Sequence, residues 1–553
     1  MIKKEDIQEA LQIMRSYKQG KANFENRIVE DELLWKRCHW QQMRAKNEKH
    51  PASGWLFNSI INKHADAMDN YPEAIMMPRE ESDKESAELL SQVVPVILEQ
   101  NNFRKTYSDA WWYKLKHGVT AYGVFWNGQA DEGRGNVEVK KLDMLNLFWE
   151  PGITDIQNSR NLFICDLVAV DILKEQYPNA KISGGERAEI KKYVYDDTFD
   201  TSDKAIVVDW YYKKGGKLHF CKFCEDNILF ASENKKEYSD GWYADGLYPV
   251  VFDTLYPEDG TPIGFGIVSI CRDAQMSIDL IDDAALENLK WSSKPRYFTK
   301  SDAGVNNKEF MDLENSLVEV EGNVDEEKLR QIKPPEFSPI ALNFRAEKIN
   351  ELKETSGNSD FVQGNTSKGV TSGAAIATLQ EAGNKLSRDT VNMSYDAFKS
   401  VMHMLIERLR QFYDIKRTFR ITRPQGGYEF KSFNNEKMKL QPAGEAAGVE
   451  LFRKPIFDIV VHAQKKNPFS TLSQNETAVN LFDRGFFKPE MAQEALAALK
   501  LMSFDGKEEV VKYIQDGMTL QNQLMEMQKQ VQMPTDENAV LRQNVRPMVA
   551  PTG

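Results

Sequence analysis

Apolar residues recur every three or four positions through much of this chain, and alternating stretches interrupt them. Between Gly264 and Trp291, Ile267, Ile270, Ala274, Ile278, Ile281, Ala285 and Leu289 form one helical stripe. Lys294-Pro295 ends that helix, because proline disfavours helical geometry in the residue before it. The insert Arg296–Pro335 predicts strands at Arg296–Lys300, Ser316–Glu321 and Lys328–Lys333 and a short helix at Asn307–Asn315. A second helix, Ser338–Thr355, follows Pro334-Pro335. Ser356–Ser372 is rich in Gly, Ser, Asn and Thr, and a connection that long between helices points to function. Gly373–Tyr413 then reads as one helix, about 60 Å long at 1.5 Å per residue. Gly383 inside it marks a hinge or a local packing need, since glycine there costs roughly 1 kcal/mol against alanine.

The flanks carry the other patterns. Upstream, an amphipathic helix at the N-terminus, then Ser53–Tyr71, Ser82–Gln100 and Phe103–Lys116, read as helices, with Tyr71-Pro72 and Met77-Pro78 as a connector. Trp111-Trp112-Tyr113 sits on a helical period and is expected in the core. Strands follow at Gly118–Asn127, Val137–Leu147, Asn161–Val168, Ala205–Lys213, Lys217–Cys224 and Asn227–Ala231, with Gly215-Gly216 as a tight turn. Asn179–Thr201 is a polar excursion. Thr418–Arg423 and Phe457–His462 are expected to return to the earlier β region, separated by a Gly-rich span at Gln425–Gly448. Leu472–Arg484, Lys488–Leu501 and Lys507–Gln532 read as helices, and Thr535–Gly553 as a flexible tail. The fold class is therefore α+β, mainly helical, in an elongated subunit.

This order of elements resembles the portal proteins of tailed bacteriophages. Val137–Pro151, Asn161–Val168 and Ile172–Tyr177 look like the strand, turn and strand that end the family's wing. Tyr248–Val251, Pro262–Gly266 and Gln275–Ile278 are similar to its entry into the stem helix. Asp279 stands where many relatives carry Asn, and Glu150-Pro151 replaces a more usual Asp-Pro. The resemblance implies an α/β wing (1–263), stem helices (264–291 and 338–355) and a small α/β clip (292–337). It further implies a tunnel loop (356–372), a long kinked wing helix with returning strands (373–466), a helical crown (467–533) and a tail (534–553).

The resemblance also implies a function. A ring, by family a dodecamer, would sit at one capsid vertex of the virion and pass double-stranded DNA during packaging and ejection. Its partners would be the terminase, the head–tail adaptor, and the major capsid and scaffolding proteins. Asn358, Ser359, Phe361, Asn365 and Lys368 of the tunnel loop would touch DNA. The stem acids Asp279, Asp282, Asp283 and Glu287 would line the channel, and Lys294, Arg296 and Lys300 would lie in the clip where it docks its partners. For those three basic residues, complementing a helix C-terminus is an equal alternative.

Composition narrows the alternatives. The chain has 553 residues and a net charge of -12, the wrong sign for gripping nucleic acid through phosphate neutralisation. An acidic wall instead lets a polyanion slide. No stretch approaches the roughly 18–20 apolar residues of a spanning helix, and the first residues lack the apolar core of a secretory signal, so assembly in a host cytoplasm is expected. Five scattered cysteines suit a reducing compartment. Cys221-x-x-Cys224 lacks a second pair and reads as packed strand residues, so no metal or other cofactor is expected.

Catalytic patterns are missing. Gly364–Gly369 has phosphate-loop spacing, but Val370 stands where lysine must reach phosphate. No histidines pair at i+3 or i+4, and no G-x-S-x-G elbow occurs. Asp279, Asp282, Asp283 and Glu287 offer a two-metal nuclease reading, against a solvated helix face opposite the apolar stripe. The expectation is not an enzyme. Besides that nuclease reading, another oligomeric head–tail connector or a scaffold-type protein is the alternative.

Overall fold

The structure is a computed structural model. It describes residues 1–40, 50–178, 180, 182, 203–293, 296–299, 306–311, 329–332, 336–358, 385–422, 428–446, 449–463, 483–485, 492–501, 510–517 and 523. The chain divides into two compact units, residues 1–464 and 465–553. Eleven α-helices and eighteen strands occur among the described residues, a more even α/β mixture than the helical pattern suggests.

The first unit begins with α1 (Lys4–Gly20) and α2 (Ala22–Trp35). Ile7, Ala10, Met14 and Tyr17 make the apolar stripe of α1, which packs on Phe163, Trp210 and Phe223 of a five-stranded sheet. Next come α3 (Trp55–Asp69), β1 (Pro72–Pro78), α4 (Lys84–Gln100) and α5 (Phe103–His117). The segment read as a connector is thus a strand, alternately buried and exposed. Trp111 and Tyr113 of α5 are core residues, as their spacing predicts.

The strands β2 (Val119–Asn127), β3 (Asn136–Leu142), β4 (Leu147–Trp149) and β5 (Asn161–Ala169) precede the short helix α6 (Val170–Gln176). There follow β6 (Lys204–Lys214), β7 (Lys217–Cys224), β8 (Asn227–Ala231) and β9 (Val250–Thr254). One sheet has the order β3-β2-β9, and the other is the meander β4-β5-β6-β7-β8. Two short strands, β10 (Tyr256–Pro257) and β11 (Gly264–Phe265), lead into α7 (Ile267–Ser293). Gly118 ends α5 at φ +86, and a Cβ there would lie 2.2 Å from the Phe265 carbonyl carbon. A Cβ on Gly266 would lie 2.3 Å from the Lys116 carbonyl oxygen, so two glycines allow the backbone entering α7 to touch the end of α5.

Beyond α7 the described pieces of the insert are β12 (Arg296–Thr299), α8 (Asn307–Met311) and β13 (Leu329–Ile332). β12 and β13 pair antiparallel from Arg296↔Ile332 to Thr299↔Leu329, within one residue of the predicted strand ends. Then come α9 (Pro339–Thr355) and α10 (Lys385–Phe412), the described part of the predicted long helix. After them, β14 (Arg417–Thr422) pairs with β15 (Tyr428–Phe433), and β16 (Gln441–Ala446) with β17 (Val449–Arg453). β18 (Phe457–Ala463) does return, but to β1 rather than to either larger sheet, from Pro72↔Ala463 to Pro78↔Phe457. In the second unit, α11 (Ala492–Leu501) buries Ala492, Ala495 and Leu499 with Ile514.

Candidate functional site

The two helices flanking the insert lie side by side. Asp282 on α7 meets Arg345 on α9 through two hydrogen bonds, Nε donating to Oδ1 at 2.5 Å and Nη2 to Oδ2 at 3.0 Å. Nearer the start of α7, burial pushes the Cys271 thiol up to about 11, and the nearby carboxylate of Glu351, late in α9, adds to the rise. The two helices therefore run antiparallel, with the β12–β13 ribbon between them in sequence.

The four acids of α7 do not share one environment. Gln275, Asp279 and Asp283 follow a four-residue spacing and form a buried polar row. Asp279 Oδ1 accepts from the Ser53 amide at 2.7 Å and from Ser53 Oγ at 2.8 Å, and Gln275 Nε2 donates to Oδ2 at 3.0 Å. His39 Nε2 stands 3.3 Å from Oδ2. Burial pushes the Asp279 carboxyl up, but hydrogen bonds from His39, Ser53 and Gln275 outweigh it and hold it below the ordinary value. Asp283 Oδ1 lies 2.9 Å from His50 Nδ1. This row docks the segment before α3, and Gln275 Oε1 accepts the Leu56 amide near the start of that helix. A solvated face is the wrong expectation for Asp279 and Asp283, which are 0% and 4% exposed. Partners two hundred residues away in sequence cover them. Asp282 is half-buried in its ion pair, and Glu287 is exposed.

A second acidic row escaped the sequence reading. Glu347, Glu351 and Glu354 are exposed on α9, at helical spacing; Glu351 accepts from Lys348. Their i, i+4, i+7 pattern was the available signal. Among the described residues no group of three or more His, Cys, Asp or Glu side chains is arranged to hold a metal ion.

The chain leaves α9 through a Schellman turn. Gly357, at φ +66, donates its amide to the Glu354 carbonyl at 3.0 Å, and the Asn358 amide reaches the Lys353 carbonyl at 2.9 Å. Asn358 is thereby turned inward: it is 1% exposed, and Asn62 of α3 donates to its Oδ1 at 3.1 Å. It is a capping residue rather than an exposed DNA contact. Ser359, Phe361, Asn365, Lys368 and the hinge Gly383 lie outside the described residues, as do Lys294 and Lys300. Arg296 opens β12, opposite Ile332. In the same ribbon Tyr297 packs edge-on against Phe310 of α8, centroids 4.8 Å apart.

Cys221 and Cys224 are buried in β7 and belong to different apolar clusters, so they pack on opposite sides of the sheet. Burial pushes the Cys221 thiol up to about 12, the opposite of a metal-binding thiolate.

An antiparallel helix pair, with a β-ribbon between its members in sequence, is joined to an α/β body. The sequence model of the phage P22-like portal protein family matches residues 64–250 and 214–549, and the chain belongs to that family. No curated protein matches it significantly. Membership implies a structural, capsid-associated oligomeric ring at a virion vertex. No helix among the described residues is long and apolar enough to cross a membrane.

Proposed function

We propose that this chain forms a closed ring, a dodecamer by family resemblance, that passes double-stranded DNA at the capsid vertex during packaging and ejection. The observation carrying this reading is a family match spanning nearly the whole chain, together with the Asp282–Arg345 pairing of α7 and α9. Identical subunits close a ring when a heterologous interface rotates through a fraction of a full turn. In this reading α7 and α9 are the stem and the β12–β13 ribbon belongs to the clip, which docks the terminase and later the tail adaptor. The tunnel loop assigned to 356–372 would start from the buried turn at Asn358 and continue toward the bore. ATP hydrolysis belongs to the docked motor.

Charge supports passage rather than grip. With Asp279 and Asp283 enclosed, the wall-forming acids are Glu287 with Glu347, Glu351 and Glu354. Repulsion between such a wall and phosphate disfavours static binding. Native mass measurement and negative-stain imaging test the ring: a pored particle supports it, and filaments or compact dimers overturn it. Reversing Glu347, Glu351 and Glu354 to Lys should leave the ring intact and slow DNA passage in a packaging assay. Unchanged packaging would remove these acids from the wall.

A further inference from the structure

The buried stripe of α10 contains two residues that do not belong in an apolar seam. Val391, Phe398, Val401 and Leu405 face the core at helical spacing, but Ser394 and Arg408 occupy the same stripe at 2% and 0% exposure. Each ends in a separate charged cluster of the α/β body. Ser394 Oγ accepts from Lys114 Nζ on α5 at 2.6 Å and donates to Asp253 Oδ2 on β9 at 2.9 Å. Lys114 Nζ also donates to Asp253 Oδ1 at 2.5 Å, closing a buried triangle. Fourteen residues on, Arg408 Nη1 donates to Asp245 Oδ2 at 2.9 Å, and its guanidinium lies 3.4 Å from the Tyr243 ring centroid.

We propose that these two clusters are a two-point lock on the axial register of α10, with Ser394 and Arg408 as the positioning residues. The helix rises about 1.5 Å per residue, so the two points stand about 21 Å apart. A slip of one turn, about 5.4 Å, is the displacement by which packed helices change register. It would bring Val391 or Phe398 to Lys114 and Asp253, and Leu405 or Phe412 to Asp245. Both clusters would then face apolar side chains at the same moment: Lys114 and Asp253 would lose the hydroxyl between them, and Arg408 and Asp245 would be left as buried charges without each other. An apolar stripe alone opposes that slip only through packing, since apolar side chains would still meet apolar side chains along the seam. Buried charge adds little to net stability, but fixing register is its best-attested use. α10 is thereby a rigid arm, and it is tied again where Tyr395 Oη donates to the Asn70 carbonyl at 2.9 Å. The lock concerns the fold of the subunit and stands whether or not DNA passes beside it.

Distances between spin labels at Ser400→Cys on α10 and Lys140→Cys on β3 test the lock. They are measured in a Cys38→Ser background, in full-length assembled protein diluted with unlabelled subunits. The parent should give one distance. Removing both locks with Lys114→Met, Asp253→Leu, Ser394→Ala, Arg408→Met and Asp245→Leu should add a second population displaced by about one turn, ~5 Å. The melting temperature should stay or rise. The milder pair Ser394→Ala and Arg408→Lys keeps every charge, should fold, and should broaden the distribution in the same direction. A single unshifted distance in the milder pair, or in a folded five-fold variant, overturns the lock. Assembly mass and packaging are recorded separately, so failure of the channel reading would leave this result standing.

Discussion

Asp282 and Arg345 meet side-on, both guanidinium bonds falling on one carboxylate, and they join the two helices that flank the β12–β13 ribbon in sequence. The pair is about a quarter to a third exposed, so solvent and salt screen it. A double-mutant cycle with Asp282→Ala and Arg345→Ala should give a coupling of about 1 kcal/mol in thermal or urea unfolding. Raising the salt should shrink that coupling. A coupling that salt leaves unchanged would mean the pair is dry in the assembly.

Asp279 and Glu287 sit two turns apart on α7, yet their substitutions should differ sharply. Asp279→Ala leaves the Ser53 amide and hydroxyl without their acceptor and removes one of the acceptors of the Gln275 amide, all in a buried place. The cost should be about 3 kcal/mol, the range seen when a buried charged partner is removed. Glu287→Ala, on the surface, should stay within about 0.5 kcal/mol. Chemical denaturation of the two variants decides it, and equal effects would contradict the burial of Asp279.

Local pattern carried most of the secondary structure. The spacing of apolar residues located α7 to within a few residues, Lys294-Pro295 marked where it stops, Pro334-Pro335 marked the approach to α9, and strand-like stretches gave β12 and β13. Two things were not legible, for one shared reason: the partners lie far away in sequence. β1 was read as a connector because Pro72 and Pro78 bracket it; it is a strand because β18, almost four hundred residues later, supplies its ladder partner. The burial of Asp279 and Asp283 was hidden likewise, because the side chains that cover them, His39, His50 and Ser53, belong to a distant segment. A helical wheel shows which residues share a face but not what lies against it. For Asn358, the Gly357 beside it was the signal, since glycine following a helix announces a turn that folds the next residue back.

His117 makes the body acid-sensitive. Burial lowers its imidazole from the ordinary 6.5 to about 4. Its neighbour Glu32 is pushed up by burial, but His117 and Lys116 outweigh that and bring the carboxyl down to about 2. Both groups bind fewer protons folded than unfolded, so stability falls as pH drops. For His117 the loss opens as the unfolded imidazole protonates near pH 6.5 and is complete below about 4. At 1.36 kcal/mol per unit it is on the order of 3 kcal/mol. Glu32 adds to it between about pH 4.5 and 2. Melting temperatures of the parent and His117→Gln across pH 7 to 4 test the assignment. The variant should start less stable and lose less on acidification; parallel curves would assign the acid sensitivity elsewhere.

Gly357 should be the least replaceable residue at the end of α9. Its φ of +66 lies in the left-handed region, where a Cβ crowds the following carbonyl. Alanine there costs about 1 kcal/mol or more if the turn is kept. If the turn is lost, the amides now bonded to the Glu354 and Lys353 carbonyls are released, and Asn358 leaves its place against Asn62. Asparagine tolerates the left-handed region better than alanine, so Gly357→Asn should recover part of the loss. Amide exchange at Asn358 reads the turn directly: protected in the parent, partly protected in Gly357→Asn, and fast in Gly357→Ala. Equal protection in all three would show that the chain leaves α9 by another route.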